Sequence, residues 1–118
     1  MRFKNKTVIV TGAGSGIGET TAIKFAQEGA NVVIADIDPI NGNIVTTKIN
    51  DANGSALFVE TDVASFEAIN QMVNKTINEF DLPDILINNA GINVFGEPLS
   101  MPDSEWKRAF SVDLDGVW

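Results

Sequence analysis

The chain has 118 residues, the length of one domain rather than two, and its 44% hydrophobic and 20% charged content excludes a disordered polymer. Sixteen acidic against eight basic residues give a formal charge of −8, a field that repels polyanions and argues against nucleic acid or an anionic membrane as partner. The sequence contains no Cys, His or Tyr, which excludes disulfides and thiolate metal sites and leaves carboxylates, lysines and hydroxyls for chemistry.

The opening Met1-Arg2-Phe3-Lys4-Asn5-Lys6 is basic, but the apolar run behind it reaches Gly12 too soon for a signal peptide. No stretch is long enough to span a membrane, and with no cysteine the expected location is the cytoplasm. Thr7-Val8-Ile9-Val10 predicts a strand near 7–11. Ile17, Ala22, Phe25 and Ala26 then form an apolar stripe ahead of Gly29, predicting a helix over 16–29. Asn31-Val32-Val33-Ile34-Ala35, closed by Asp36, predicts a second strand over 31–36. A weaker helical pattern covers 39–52, with Pro39 suited to a first helical position and Asn53-Gly54 to a stop. A third strand over 55–60 contains Ala56-Leu57-Phe58-Val59. Ile69, Met72, Val73, Thr76, Ile77 and Phe80 recur at helical spacing and predict a helix over 65–80. Asp84-Ile85-Leu86-Ile87 predicts a fourth strand near 84–88.

A last helix is expected from Asp103 or Ser104, with Glu105 in its first turn. Its apolar face, Trp106, Phe110, Leu114, Val117 and Trp118, has no cap or glycine after it. Short apolar strands rich in Val and Ile, alternating with helices, imply a parallel sheet covered on both faces. The fourth strand would be an apolar open edge, which invites pairing with another chain. We therefore expect a C-terminally truncated polypeptide lacking at least one further strand, and self-association into a homo-oligomer.

The chemistry concentrates in Thr11-Gly12-Ala13-Gly14-Ser15-Gly16-Ile17-Gly18, between the first strand and the first helix. A diphosphate held at a helix N-terminus must approach backbone N–H groups closely, which side chains would obstruct. Glycines at 12, 16 and 18 supply that access as G-x-x-x-G-x-G; the more widespread G-x-G-x-x-G would need glycine at 17, where Ile stands. A P-loop is rejected because Glu19, not a Lys-Ser/Thr pair, follows Gly18. Asp36 closes the second strand 18 positions after Gly18 (36 − 18), where an acidic side chain can bind ribose hydroxyls. A 2′-phosphate there would meet a like charge, at a cost of about 1–4 kcal/mol at intermediate dielectric. Ser15 and Ile37 occupy positions where Arg or Lys would favour the phosphorylated cofactor, so NAD is expected over NADP. The plain alternative makes Asp36 a solvated strand-end residue.

This turn resembles the T-G-x-x-x-G-x-G signature of the short-chain dehydrogenase/reductase family. Asp62-Val63 resembles the family's adenine-contacting pair and Asn88-Asn89-Ala90-Gly91 its N-N-A-G motif; the resemblance runs along all 118 residues, with motifs in family order. It implies a Rossmann-type doubly wound sheet, its four strands in the order 3-2-1-4 with flanking helices, forming one NAD(P)-binding domain over 1–118. It implies cofactor contacts from Gly12, Ser15, Gly16, Ile17, Gly18, Asp36, Ile37, Asp62, Val63, Asn89, Ala90 and Gly91. Asn89 is expected to brace neighbouring strands, and Asp62 alternatively to cap the helix that follows it.

The same resemblance implies hydride transfer between NAD(H) and an alcohol or ketone. The family's catalytic Ser, Tyr and Lys fall beyond this length, so the chain alone is expected to be inactive. The family's fourth residue, an Asn that anchors a water relay, falls at Asp113, which keeps the acceptors but adds a charge and loses an amide donor. A helix-surface carboxylate is the simpler account of Asp113. Two other readings stay open: a non-catalytic NAD-binding or assembly module, and another Rossmann-type enzyme such as a methyltransferase.

Overall fold

The computed structural model describes residues 2–90. The elements run β1 (Thr7–Thr11), α1 (Gly16–Gln27), β2 (Asn31–Asp36), α2 (Pro39–Asp51), β3 (Ser55–Glu60), α3 (Phe66–Glu79) and β4 (Ile85–Ile87). The expected helix from Asp103 or Ser104, with Trp106, Phe110, Leu114, Val117 and Trp118, lies outside the described residues.

All strand pairs are parallel, in the order β3-β2-β1-β4. Successive side chains of a strand point to opposite faces, and the two faces carry two cores. Val8, Val10, Val32 and Ile34 meet Ala22 of α1 and Val45 and Ile49 of α2 on one face. Ile9, Val33, Ala35 and Val59 meet Met72 of α3 on the other. Helices on both faces of a parallel sheet, with the order reversing after β3, make this a Rossmann-type doubly wound fold.

Local chemistry sets the element ends. Pro39 begins α2, and the Asp38 carboxylate accepts from the Ile40 and Asn41 N–H groups at 2.9 and 3.1 Å. The Ser65 hydroxyl accepts from Ala68 N–H and caps α3. Gly29, with φ of +92°, closes α1. Gly42 lets α2 lie directly against the Phe58 ring of β3; any Cβ there would overlap that ring. Asp84 ties β4 to the start of β1 twice: its N–H donates to Thr7 O at 2.8 Å, and its carboxylate accepts from Thr7 N–H at 2.9 Å.

Burial departs from the expected pattern in two places. Ile17 does not belong to the inward stripe of α1: it is 79% exposed, while Ala22 is fully buried. The first turn of α1 rises beyond the strand ends, and the residue turned inward there is Gly18. Cover is also uneven across the sheet. Every residue of β1 is buried, whereas Leu86 in the outer strand β4 is 51% exposed. No helix among the described residues is long and apolar enough to cross a membrane.

Candidate functional site: a crevice at the carboxyl ends of the strands

The first crossover reversal places β1 between β2 and β4. At such a switch point the connections leaving adjacent strands diverge to opposite faces and open a crevice beyond the strand ends. Two segments singled out from the sequence meet here, the glycine-rich turn after β1 and Asn88-Asn89-Ala90 after β4. The Thr11 side chain joins them. Its hydroxyl donates to Ile87 O at 3.3 Å and accepts from the Asn89 and Ala90 N–H groups at 3.0 and 3.1 Å. The Asn89 amide donates to Gly12 O at 3.2 Å, so Asn89 braces the β4 exit against the β1 exit.

The turn itself depends on two left-handed residues, Gly12 at φ +64° and Gly16 at φ +58°, where a Cβ would be strained. Gly18 is required for space instead: a Cβ would collide with the Gly12 carbonyl and come within 2.5 Å of the Asn89 amide nitrogen. The widespread glycine spacing is thus not needed here; this turn uses its own three positions. Ser15 occupies the N-cap of α1 in extended conformation, yet its hydroxyl accepts no capping hydrogen bond. Both α2 and α3 are capped by a side chain. The free N–H groups of α1, added to the positive end of its dipole, form a cradle for an anion.

Asp36 stands at the far side of the turn, half-buried at the end of β2. One carboxylate oxygen accepts from Gly14 N–H at 2.8 Å and the other from Asp38 N–H at 2.9 Å. Asp36 is therefore held in place rather than freely solvated. Ile37 beside it is 62% exposed. Glu60 is the register partner of Asp36 across β3, so a second carboxylate borders this edge. Asp62 and Val63 follow on the same edge. The Asp62 side chain accepts from Ala64 N–H at 3.0 Å, and its carbonyl accepts from Ser65 N–H at 2.9 Å. This turn leads into α3 but does not cap it; Ser65 does, because its hydroxyl stands three residues before Ala68. The structure thus gathers Gly12, Ser15, Gly16, Ile17, Gly18, Asn89 and Ala90 around the β1–β4 crevice, and Asp36, Ile37, Asp62 and Val63 along the adjoining β2–β3 edge. Gly91 and Asp113 lie outside the described residues.

Residues 6–118 match the short chain dehydrogenase family. The chain belongs to this family. It is 38% identical to a meso-2,3-butanediol dehydrogenase of Serratia marcescens, over 99% of this chain and 46% of that protein. A short chain dehydrogenase from Mycobacterium smegmatis superposes with a TM-score of 0.92 at 36% identity, covering 98% of this chain and 49% of the other. A 7α-hydroxysteroid dehydrogenase, solved with NADH and 7-oxo glycochenodeoxycholic acid, superposes with a TM-score of 0.90 at 35% identity, covering 98% and 45%. The chain spans about half the length of each of these three proteins. Short-chain dehydrogenases are oxidoreductases that use a nicotinamide cofactor, so the chain comes from a family of enzymes.

Sequence reasoning passed over Thr11, Gly14 and Asp84 as functional or organising residues. Thr11 was visible as the first letter of the glycine signature, but its three hydrogen bonds reach residues 76 to 79 positions away. Only the strand pairing reveals them.

Proposed function

We propose that residues 1–118 form the single cofactor-binding domain of an NAD-dependent oxidoreductase that exchanges a hydride with an alcohol or ketone in the cytoplasm. The observation that carries this reading is the helix start of α1, left uncapped by the Ser15 side chain and opened by glycines, beside a fixed carboxylate at the end of β2. The residues present fit a dinucleotide. Gly12, Ser15, Gly16, Ile17 and Gly18 hold its diphosphate through backbone N–H groups and cleared space. Asp36 accepts from the adenosine ribose hydroxyls and Ile37 covers the adenine side, with Asp62 and Val63 meeting the base. Asn89 and Ala90 offer a floor against which the cofactor lies, and Gly91, next in the motif, is proposed as a further cofactor contact. When bound, the nicotinamide ring supplies hydride transfer. Asp113 stands at the family's asparagine position and is proposed to orient water there.

Charge decides the choice of dinucleotide. A 2′-phosphate would face Asp36 with Glu60 alongside it in register, and each like charge near 4–8 Å costs about 1–4 kcal/mol at intermediate dielectric. NAD is therefore preferred over NADP. The chain has no tyrosine, the group that polarises the substrate oxygen in this family, and by itself it is expected to transfer no hydride. Among the described residues β4 is an outer strand with Leu86 half-exposed, and an apolar outer strand favours pairing with another copy.

Titration calorimetry with NADH, NADPH and S-adenosylmethionine tests the reading. NADH is expected to bind at least about fivefold tighter than NADPH, the lower end of the electrostatic cost of about 1 kcal/mol. Preference for NADPH, or selective binding of S-adenosylmethionine, would overturn it. Turnover of any carbonyl substrate by a preparation of confirmed 118-residue mass would refute the claim of inactivity.

A further inference from the structure

Asp36 does more in this structure than wait for a ribose. Its two oxygens accept from two backbone N–H groups that flank it from different segments: Gly14, inside the glycine-rich turn, and Asp38, at the start of α2. The contact with Gly14 is tight, and a side chain there would press on the carboxylate. A Cβ at position 14 would lie 2.8 Å from the Asp36 carboxylate oxygen and 3.3 Å from Asn41 Cβ. Gly14 is not one of the two left-handed glycines of the turn, so a side chain there would meet the carboxylate and not strain from its own backbone angles. Elsewhere Gly12 N–H donates to Ala35 O at 2.8 Å. Ala13 N–H reaches the same oxygen at 3.5 Å, so Asp36 adds a further tether, to the end of β2, in the middle of a turn whose other contacts with β2 are at its base.

We infer that Asp36 is a positioning residue for the diphosphate cradle as well as the reader of the ribose: its carboxylate straps the middle of the glycine-rich turn to the end of β2. The inference rests on the dinucleotide reading above for its consequence in binding, but the strap itself is a property of the free chain. A carboxylate oxygen has two lone-pair directions, so the N–H groups of Gly14 and Asp38 leave acceptor capacity for a ribose diol. The same bonds lock the Asp36 rotamer, and a locked acceptor loses little side-chain entropy when the diol arrives. A substitution at position 36 made to change cofactor preference would thus also loosen the diphosphate cradle.

Two measurements separate strap from reader. The first uses the chain without nucleotide: amide hydrogen exchange at Gly14, followed by NMR, in the parent chain, Asp36→Asn and Asp36→Ala. A hydrogen bond to a charged acceptor protects an amide by about tenfold or more. Exchange is expected to be slowest in the parent, intermediate in Asp36→Asn, which keeps one acceptor oxygen, and fastest in Asp36→Ala. Equal rates in all three folded chains would overturn the strap. The second uses ADP and 2′,3′-dideoxy-ADP, which keeps the diphosphate and lacks both hydroxyls that Asp36 would read. A pure reader leaves dideoxy-ADP affinity unchanged in Asp36→Ala; the strap predicts a loss of about threefold to tenfold, below the larger loss for ADP. Should Asp36→Ala fail to fold, Asp36→Asn and Gly14→Ala carry both measurements, since Gly14→Ala pushes the strap apart with the carboxylate intact. Absence of ADP binding by the parent chain would remove the dinucleotide reading, while the exchange rates at Gly14 would still decide the strap.

Discussion

Replacing Thr11 by Val tests whether the crevice is held open by polar chemistry or by packing alone. Valine keeps the shape of threonine and puts a methyl group in place of the hydroxyl. That hydroxyl makes three hydrogen bonds, two as acceptor from Asn89 and Ala90 N–H and one as donor to Ile87 O. Each is worth about 0.5–1.5 kcal/mol net, and the two deserted N–H groups sit half-buried, where water reaches them only in part. The gross loss is about 2–3 kcal/mol, from which one added buried methyl returns roughly 0.8 kcal/mol. A net loss of about 1.5–2 kcal/mol lowers the melting temperature of a chain this size by about 6–8 °C. Thr11→Ser keeps the hydroxyl and loses a methyl, so it should melt only about 3–4 °C below the parent. Differential scanning calorimetry at neutral pH reads both. A Thr11→Val chain as stable as the parent would refute the claim that this hydroxyl organises the β1–β4 crevice.

Other substitutions probe neighbouring links. Gly18→Ala should cost about 2–4 kcal/mol, from overpacking against the Gly12 carbonyl and loss of the Asn89–Gly12 hydrogen bond; urea unfolding measures it, and an unchanged midpoint would show that the turn can shift at no cost. Gly42→Ala should destabilise by about 1–3 kcal/mol because its Cβ meets the Phe58 ring, and the paired change with Phe58→Leu should recover part of that loss in the same assay. Ser65→Ala should remove about 1 kcal/mol through the lost cap of α3; Asp62→Ala should leave that cap intact, and helix-specific hydrogen exchange in residues 66–69 distinguishes the two.

The sequence was legible wherever structure is local. Short apolar runs ending at Thr11, Asp36 and Glu60, β-branched in the first two and Ala-Leu-Phe-Val in the third, marked β1, β2 and β3 to the residue, because such runs bounded by Gly, Pro and Asn have few other ways to be buried. Capping chemistry at Pro39 and Gly29 was likewise readable, and the family resemblance supplied the strand order. Three features were not. Ile17 is apolar and helically spaced, yet the tip of α1 outruns the sheet and leaves it in solvent. Ser65 rather than Asp62 caps α3, a choice that depends on which oxygen stands three residues before a free N–H. The middle glycine at 14 is an unspecified position in the signature, and only the structure shows that its N–H donates to the Asp36 carboxylate and that a side chain there would press on it.

The crevice also explains how a chain of net charge −8 can be suited to an anionic ligand. At physiological ionic strength, exposed charges more than about 8 Å apart are largely screened from one another. Net charge therefore governs long-range encounter with polyanions, not the fate of a diphosphate already at the start of α1. There the chain offers peptide N–H dipoles, which the N-cap residue Ser15 leaves uncapped. The carboxylates of the site are gathered instead at the ends of β2 and β3, as Asp36, Glu60 and Asp62. They stand where hydroxyls and an amine would be welcome and a phosphate would not. On the proposed NAD reading, the fold separates the two requirements by one strand spacing of about 4.8 Å: amides beyond β1 for the charge a dinucleotide must carry, and carboxylates beyond β2 against the added phosphate of NADP.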